Sequence, residues 1–265
     1  SGAHGDLHSF PARRSSDLED TPAAETSSGG VSVAAAGGIN IAKAISRATV
    51  APGVVVLAGG AFTLRTKSNT DGKATADGSA VTPTGGDGVS VGAGVAINYV
   101  RVINEAIVPG GVTITAVGVS IEALMGSVHE LATETTSGAG GGSVGIAGSV
   151  SIHIVNLQTT ATIAGGATVN AGSGDVSVRA TSQATSIVKA LPAEGGVSGS
   201  ESVGIGAAVA ISIVDDTTLA SIADGALVTG GANVTVTATS GHALTTEAKT
   251  GAAGGEVTVA PAVAV

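Results

Sequence analysis

Apolar and polar positions alternate along this chain in short runs, and one run comes back again and again. VSVAAAGGINIA begins at Val31. It recurs as VSVGAGVAINYV from Val89, VGIAGSVSIHIV from Val144 and VGIGAAVAISIV from Val203, with a truncated copy, VTVAPAVAV, from Val257. The spacings are 58, 55, 59 and 54 residues (89−31, 144−89, 203−144, 257−203), a repeat of about 57. Within the phrase the period is two, which predicts strand rather than helix. Even offsets carry Val31, Val33 and Ile39, then Val89, Val91 and Ile97, Val144, Ile146 and Ile152, and Val203, Ile205 and Ile211. These positions predict one buried face. The odd offsets carry Ser, Gly, Ala and Asn, small enough for another sheet or backbone to come close.

The rest of the unit is equally regular. A polar pair (Lys43-Ala44, Arg101-Val102, Asn156-Leu157, Asp215-Asp216) reads as a turn before a second strand, AISRATV, VINEAIV, TTATIAG or TTLASIA. Gly-rich corners follow at Pro52-Gly53, Pro109-Gly110-Gly111, Gly165-Gly166 and Gly230-Gly231. A third strand then reads AFTLRTKS from Ala61, GVTITAVG from Gly111, DVSVRATS from Asp175 and NVTVTATS from Asn233. Short β-branched strands between Gly corners at a long period predict an all-β β-solenoid, four repeats of about 57 residues plus a truncated fifth. Like residues would stack into Val and Ile ladders inside it. If each repeat made two or three coils, the fragment would form a rod of about 40–60 Å.

Composition narrows the alternatives. Aromatic residues make up 1% of the chain, against 43% hydrophobic overall, and there is no Cys and no Trp. A core of Val, Ile and Ala without large rings must be thin. A transmembrane β-barrel wants aromatic girdles that Phe10, Phe62 and Tyr99 cannot supply. No continuous apolar run is long enough for a membrane-spanning helix. Without cysteine there is no disulfide scaffold and no thiolate site. The formal net charge of -9 argues against a nucleic-acid surface.

Few residues carry chemistry, and we expect no catalytic, cofactor-binding or metal-binding residue here. His153 falls in a slot held by Asn40, Asn98 and Ser212 in the other repeats and is expected to be exposed; His129 and His242 have no metal-ligand spacing. Asp215 and Asp216 would point to opposite sides of a strand and so cannot converge. Asp87 and Asp175 lie in Gly-rich turns without the nonapeptide spacing of calcium-binding β-rolls. Thr235, Thr237 and Thr239 suggest an ice-binding array, but Arg179 interrupts it in the preceding repeat. Gly195-Gly196-Val197-Ser198-Gly199 does not match a nucleophile elbow.

Residues 9–18, SFPARRSSDL, resemble the translation of a common sequencing adaptor, SFPTRRSSDL, and differ from it only at Ala12. Residues 1–28 are therefore expected to be adaptor sequence with a lead-in, and 29–265 a single solenoid domain cut from a longer protein.

The stretch from Val203, VGIGAAVAISIVDDTTLASIADGALVTGGANVTVTATS, resembles the repeats of large secreted bacterial exoproteins, the filamentous-haemagglutinin-like adhesins and leukotoxin-like repeat proteins. The resemblance implies a right-handed parallel β-helix, export, and a role in attachment or assembly. Against that pattern, the Pro109-Gly110-Gly111 corner suggests a shortened second coil. The expected function is a non-catalytic structural shaft at the cell surface or outside the cell. The alternatives are a lateral module binding glycans or surfaces through the looser segments 74–83, 130–136, 182–193 and 242–250, and the scaffold of an exported carbohydrate-active enzyme. Expected partners are extracellular glycan or protein ligands, with self-association through unpaired strand edges at the solenoid ends. Long-read sequencing of the parent gene tests the terminal reading: residues 9–18 should disappear and further copies of the phrase should continue in frame.

Overall fold

The computed structural model describes residues 30–81, 88–200, 202–254 and 256–265; the adaptor-like segment and Asp87 lie outside them. The described chain is all strand and turn, wound as a parallel β-solenoid. The first coil comprises β1 (Val31–Thr49), β2 (Val55–Leu57), β3 (Phe62–Ser68) and β4 (Gly72–Val81). The second comprises β5 (Val89–Val108), β6 (Thr113–Thr115), β7 (Val119–Met125) and β8 (His129–Gly140). The third is β9 (Val144–Ile163), β10 (Thr168–Asn170) and β11 (Val176–Ser200). The fourth is β12 (Val203–Ile222), β13 (Leu227–Thr229), β14 (Val234–Ala248) and β15 (Ala252–Gly254), with β16 (Val257–Val259) and β17 (Ala262–Ala264) opening the next.

Three parallel sheets result. One broad sheet runs β1-β5-β9-β12 with β16 and β17 beyond, a narrow sheet runs β2-β6-β10-β13, and a second broad sheet is built from the remaining strands around β11. Each repeat makes one coil rather than two or three, because the opening strand is long. β1 pairs with β5 from Val31↔Val89 to Thr49↔Ile107 without a break, and β5 with β9 likewise. The polar pairs near residue 43 are therefore not turns; the strand runs straight through them. A 20-residue strand spans about 65 Å, while four coil steps rise only about 19 Å. The object is a flat slab, wide rather than long.

Glycine sets the corners. Gly53, Gly111, Gly166 and Gly225 occupy one column with φ between 76° and 80°, a left-handed conformation that other L-residues adopt at a cost. The fourth member is thus Gly225; Gly230 and Gly231 belong to the next corner, beside Gly172. β6 keeps register with both β2 and β10, so the second coil is not shortened here. The third strand of that coil is β7, VSIEALM, which pairs with β3 and β11, while Thr113–Thr115 lies in the narrow sheet.

The main correction concerns which face is inside. The Val and Ile ladders form as expected, but on the outer surface: Val31, Val33 and Ile39 are 65%, 56% and 71% exposed. The small-residue face points inward. The interior is graded along the strand. At the three-sheet end it is aliphatic, with Val108, Ile114, Ile121, Ile163, Val169 and Val178 fully buried. A second patch holds Val100, Val102, Leu131, Val155 and Leu157. Toward the other end the two broad sheets close until backbone meets backbone. A Cβ on Gly78 would overlap the Ala93 carbonyl, one on Gly38 the Thr75 carbonyl, and one on Gly92 the carbonyls of Gly138 and Gly78. No Val or Ile fits at these glycines, so the branched residues of β1 and β5 are left outside; in the third coil, where the walls stand further apart, Val188 and Val197 are buried.

Substitution separates the two faces. Gly92→Ala should cost ~3 kcal/mol or more, because backbone cannot move aside as a side chain can. Gly148→Ala, on the outer face with nothing within 4 Å of the added methyl, should change stability by less than about 0.5 kcal/mol. Denaturant melts of the two variants check this; equal losses would refute the assignment of faces.

Candidate functional site

The densest chemistry lies inside the slab, where the β-branched core gives way to polar side chains. The register stacks Asn40, Asn98, His153 and Ser212 on successive strands of the first broad sheet. The slot is the one read from the sequence, but it faces inward: Asn98 and His153 are fully buried. Such groups must find partners, since an unpaired buried amide or imidazole costs about 1–3 kcal/mol.

They find them in each other and in the opposite wall. Asn40 Nδ2 donates to Asn98 Oδ1 at 2.8 Å. Asn98 Nδ2 spends both protons on the carbonyls of Gly72 and Ala132, each at 3.0 Å. The Thr133 hydroxyl lies 2.7 Å from His153 Nδ1, and His153 Nε2 lies 3.2 Å from Ser186 Oγ. Ser186 Oγ in turn lies 2.9 Å from His242 Nε2. A neutral His153 protonated on Nε2 would accept from Thr133 at Nδ1 and donate to Ser186, which would then donate to His242; the other tautomer reverses all three. Burial pushes the His153 pKa down to about 4, with a small further push from the charge of His242, so the ring is neutral at pH 7.

The line ends at Asp216, whose Oδ2 is 3.7 Å from His242 Nδ1 and accepts from Ser240 Oγ at 3.2 Å. Asp215, the next residue along, is exposed on the other side of the strand, where Asn156 Nδ2 donates to it at 3.2 Å. The two carboxylates do not converge, as alternation requires. Ser186, His242 and Asp216 stand in the chain of contacts that nucleophilic hydrolases use, yet the arrangement differs where chemistry would begin. Ser186 is fully buried and already bonded to two imidazoles, and the His242–Asp216 separation exceeds a hydrogen bond. What the line does chemically is supply partners to most of its buried polar groups, leaving His242 Nδ1 and Ser212 Oγ without one.

The remaining sequence candidates fall elsewhere. His129 is buried, its Nδ1 accepting from the Thr70 backbone N–H at 2.9 Å, and burial lowers its pKa. Asp175 sits at an exposed corner, where Asn233 Nδ2 donates to its carboxylate at 2.9 Å. Thr237 stacks on Arg179, Glu122 and Arg65 along the outer face of the second broad sheet, a column of alternating charge. Burial alone would raise the Glu122 pKa, but hydrogen bonds from Arg65 and Ser120 and the charges of Arg65 and Arg179 bring it below its usual value. Residues 82–83 lie outside the described residues; the rest of segments 74–83, 130–136, 182–193 and 242–250 is largely regular strand in β4, β8, β11 and β14 rather than loose connections. Their inward threonines and serines line the wall opposite His153. Sequence reasoning missed this wall because Thr133 and Ser186 lie 20 and 33 residues from His153 and meet it only across the coil.

Among the described residues no three His, Asp or Glu side chains are grouped to hold a metal ion, and no helix is long and apolar enough to cross a membrane. The chain matches no family model, no curated protein and no solved structure.

The depressed His153 pKa makes stability depend on pH. The unfolded ring protonates near 6.5 and the folded one near 4, so the unfolded chain binds more protons between those values. Stability present above about pH 6.5 should drain away as pH falls toward 4, by about 3 kcal/mol in all. His129 acts in the same direction. His153→Asn, the residue found at 40 and 98, should flatten most of this slope in urea midpoints measured from pH 7.5 to 4; an unchanged slope would rule His153 out.

Proposed function

We propose that this chain is a structural segment of the shaft of a secreted or surface-displayed bacterial exoprotein, without catalysis of its own. One observation carries the reading: a repeat is a coil, and successive coils stack residue on residue, Ile39 on Ile97 on Ile152 on Ile211. A unit that buries its interior against its neighbours, and whose ends match the next copy, is built to be added to. The polar line from Asn40 to His242 supports the same reading. Most of its members take a partner from an adjacent coil or the facing wall, which locks register and resists slippage.

The mechanism is mechanical. Backbone hydrogen bonds run along the axis in three sheets, and the interlocked glycine backbone of the two broad walls resists shear. The slab gains only about 4.8 Å per repeat, so it trades reach for breadth, and a long projection needs many copies. The proposed location is outside the cell or on its surface, where such a projection presents a binding region carried elsewhere in the protein.

Removing one whole repeat from the parent protein should shorten the projection by about 4.8 Å in electron micrographs or scattering profiles and leave ligand specificity unchanged. Loss of ligand recognition on removing these coils would instead favour a lateral binding module.

A further inference from the structure

The outer face of the first broad sheet is unusual for a surface. Every outward position from 31 to 41, and its counterpart on β5, β9 and β12, is Val, Ile, Ala, Gly or Tyr. The Tyr99 hydroxyl is the one polar side-chain group in that field. Ile39, Ile41 and Ile213 are 71%, 66% and 56% exposed. Eleven residues of strand across four to five strands cover about 700–900 Å². Contiguous apolar patches beyond a few hundred Å² mark interaction surfaces, and a stable interface takes roughly 800 Å² from each partner.

The border of the field says what covers it. Immediately beyond position 41 comes a charged column, Lys43, Arg101, Asn156 and Asp215 on successive strands, and beyond Ile45 the Arg47–Glu105 ion pair. The column is basic at one end of the stack and acidic at the other. A two-fold axis lying in the face and parallel to the strands reverses the order of coils while keeping position along the strand. It sets Lys43 and Arg101 of one copy opposite Asp215 and Asn156 of the other, and the apolar field on itself. At the ~10 Å spacing of packed sheets, the Lys and Asp side chains of the two copies reach each other.

We propose that this face is the seat of a second copy of the same chain, packed sheet on sheet about that two-fold. A two-fold interface is self-complementary and closed, so it yields pairs and no larger assembly. The pairing does not depend on the shaft reading; applied to a shaft, it would double the slab into a four-layered rod with its Val and Ile ladders buried. It also explains the inverted faces: the branched residues are outside the coil because they form the core of the dimer.

Sedimentation equilibrium of the chain from 1 to 100 µM tests this. The expected result is a closed dimer. Ile97→Lys with Ile152→Lys, in the middle of the field, should weaken it at least tenfold while the circular dichroism spectrum stays that of the parent and the concentration dependence of melting is lost. Lys43→Glu with Arg101→Glu should also weaken it, and adding Asp215→Lys should restore it. A monomer at every concentration overturns the proposal and leaves the face to another molecule. So does an open-ended series of oligomers indifferent to these substitutions, which is the mark of association through the coil ends. Failure of the charge exchange to restore pairing overturns the stated two-fold.

Discussion

The two broad sheets approach so closely around Gly38, Gly78 and Gly92 that a methyl group on any of them would strike the opposite backbone. Most of the architecture follows from that contact. Where the walls touch, around Gly38, Gly78 and Gly92, there is no room for a branched side chain on those strands, so the Val and Ile of the same strands face out. Where the narrow sheet holds the walls apart, Val, Ile and Leu fill the wedge. The graded cross-section, aliphatic at one end and nearly all backbone at the other, is how a chain with almost no aromatic side chains closes its interior.

Between these two regimes lies a band with room for side chains but too little apolar bulk to fill it. The polar line from Asn40 through His153 to His242 occupies this band. A buried polar network is tolerable only if most of its members are satisfied; here Asn40 bonds to Asn98 on the next strand and Thr133, Ser186 and the carbonyls of the facing wall supply the other partners, while Ser212 Oγ and His242 Nδ1 are left without one. The result is directional: the groups match only when coils stack in one register. That specificity matters in a structure whose repeats otherwise present near-identical Val, Ala and Gly surfaces to one another. His153 also links this register to pH, since its neutrality is part of the arrangement.

The outer surfaces divide the remaining work. The second broad sheet carries columns of alternating charge, Arg65 with Glu122 and Arg179, and Glu134 with Lys189 and Glu247, which favour in-register stacking and keep that wall in water. The first broad sheet carries none over its opening eleven positions. The slab is therefore two-sided, one wall suited to solvent and one suited to contact, and this asymmetry is the basis of the proposed pairing.

The sequence by itself determined the repeat, the strand period and the parallel stacking, because identical phrases at fixed spacing can only pair with themselves. It identified the column Asn40, Asn98, His153 and Ser212 and the separation of Asp215 from Asp216 to opposite faces. The inside of the sheet was not legible. Alternation shows that two faces differ, and hydrophobicity favours the Val and Ile face for burial, but the distance between walls decides what fits. That distance is set by contacts such as Gly38 against the Thr75 backbone, 37 residues apart in sequence (75−38), which form only in the closed coil. The partners of His153 were hidden for the same reason. Thr133 and Ser186 look like ordinary strand residues until the opposite wall brings them within hydrogen-bond distance of its ring.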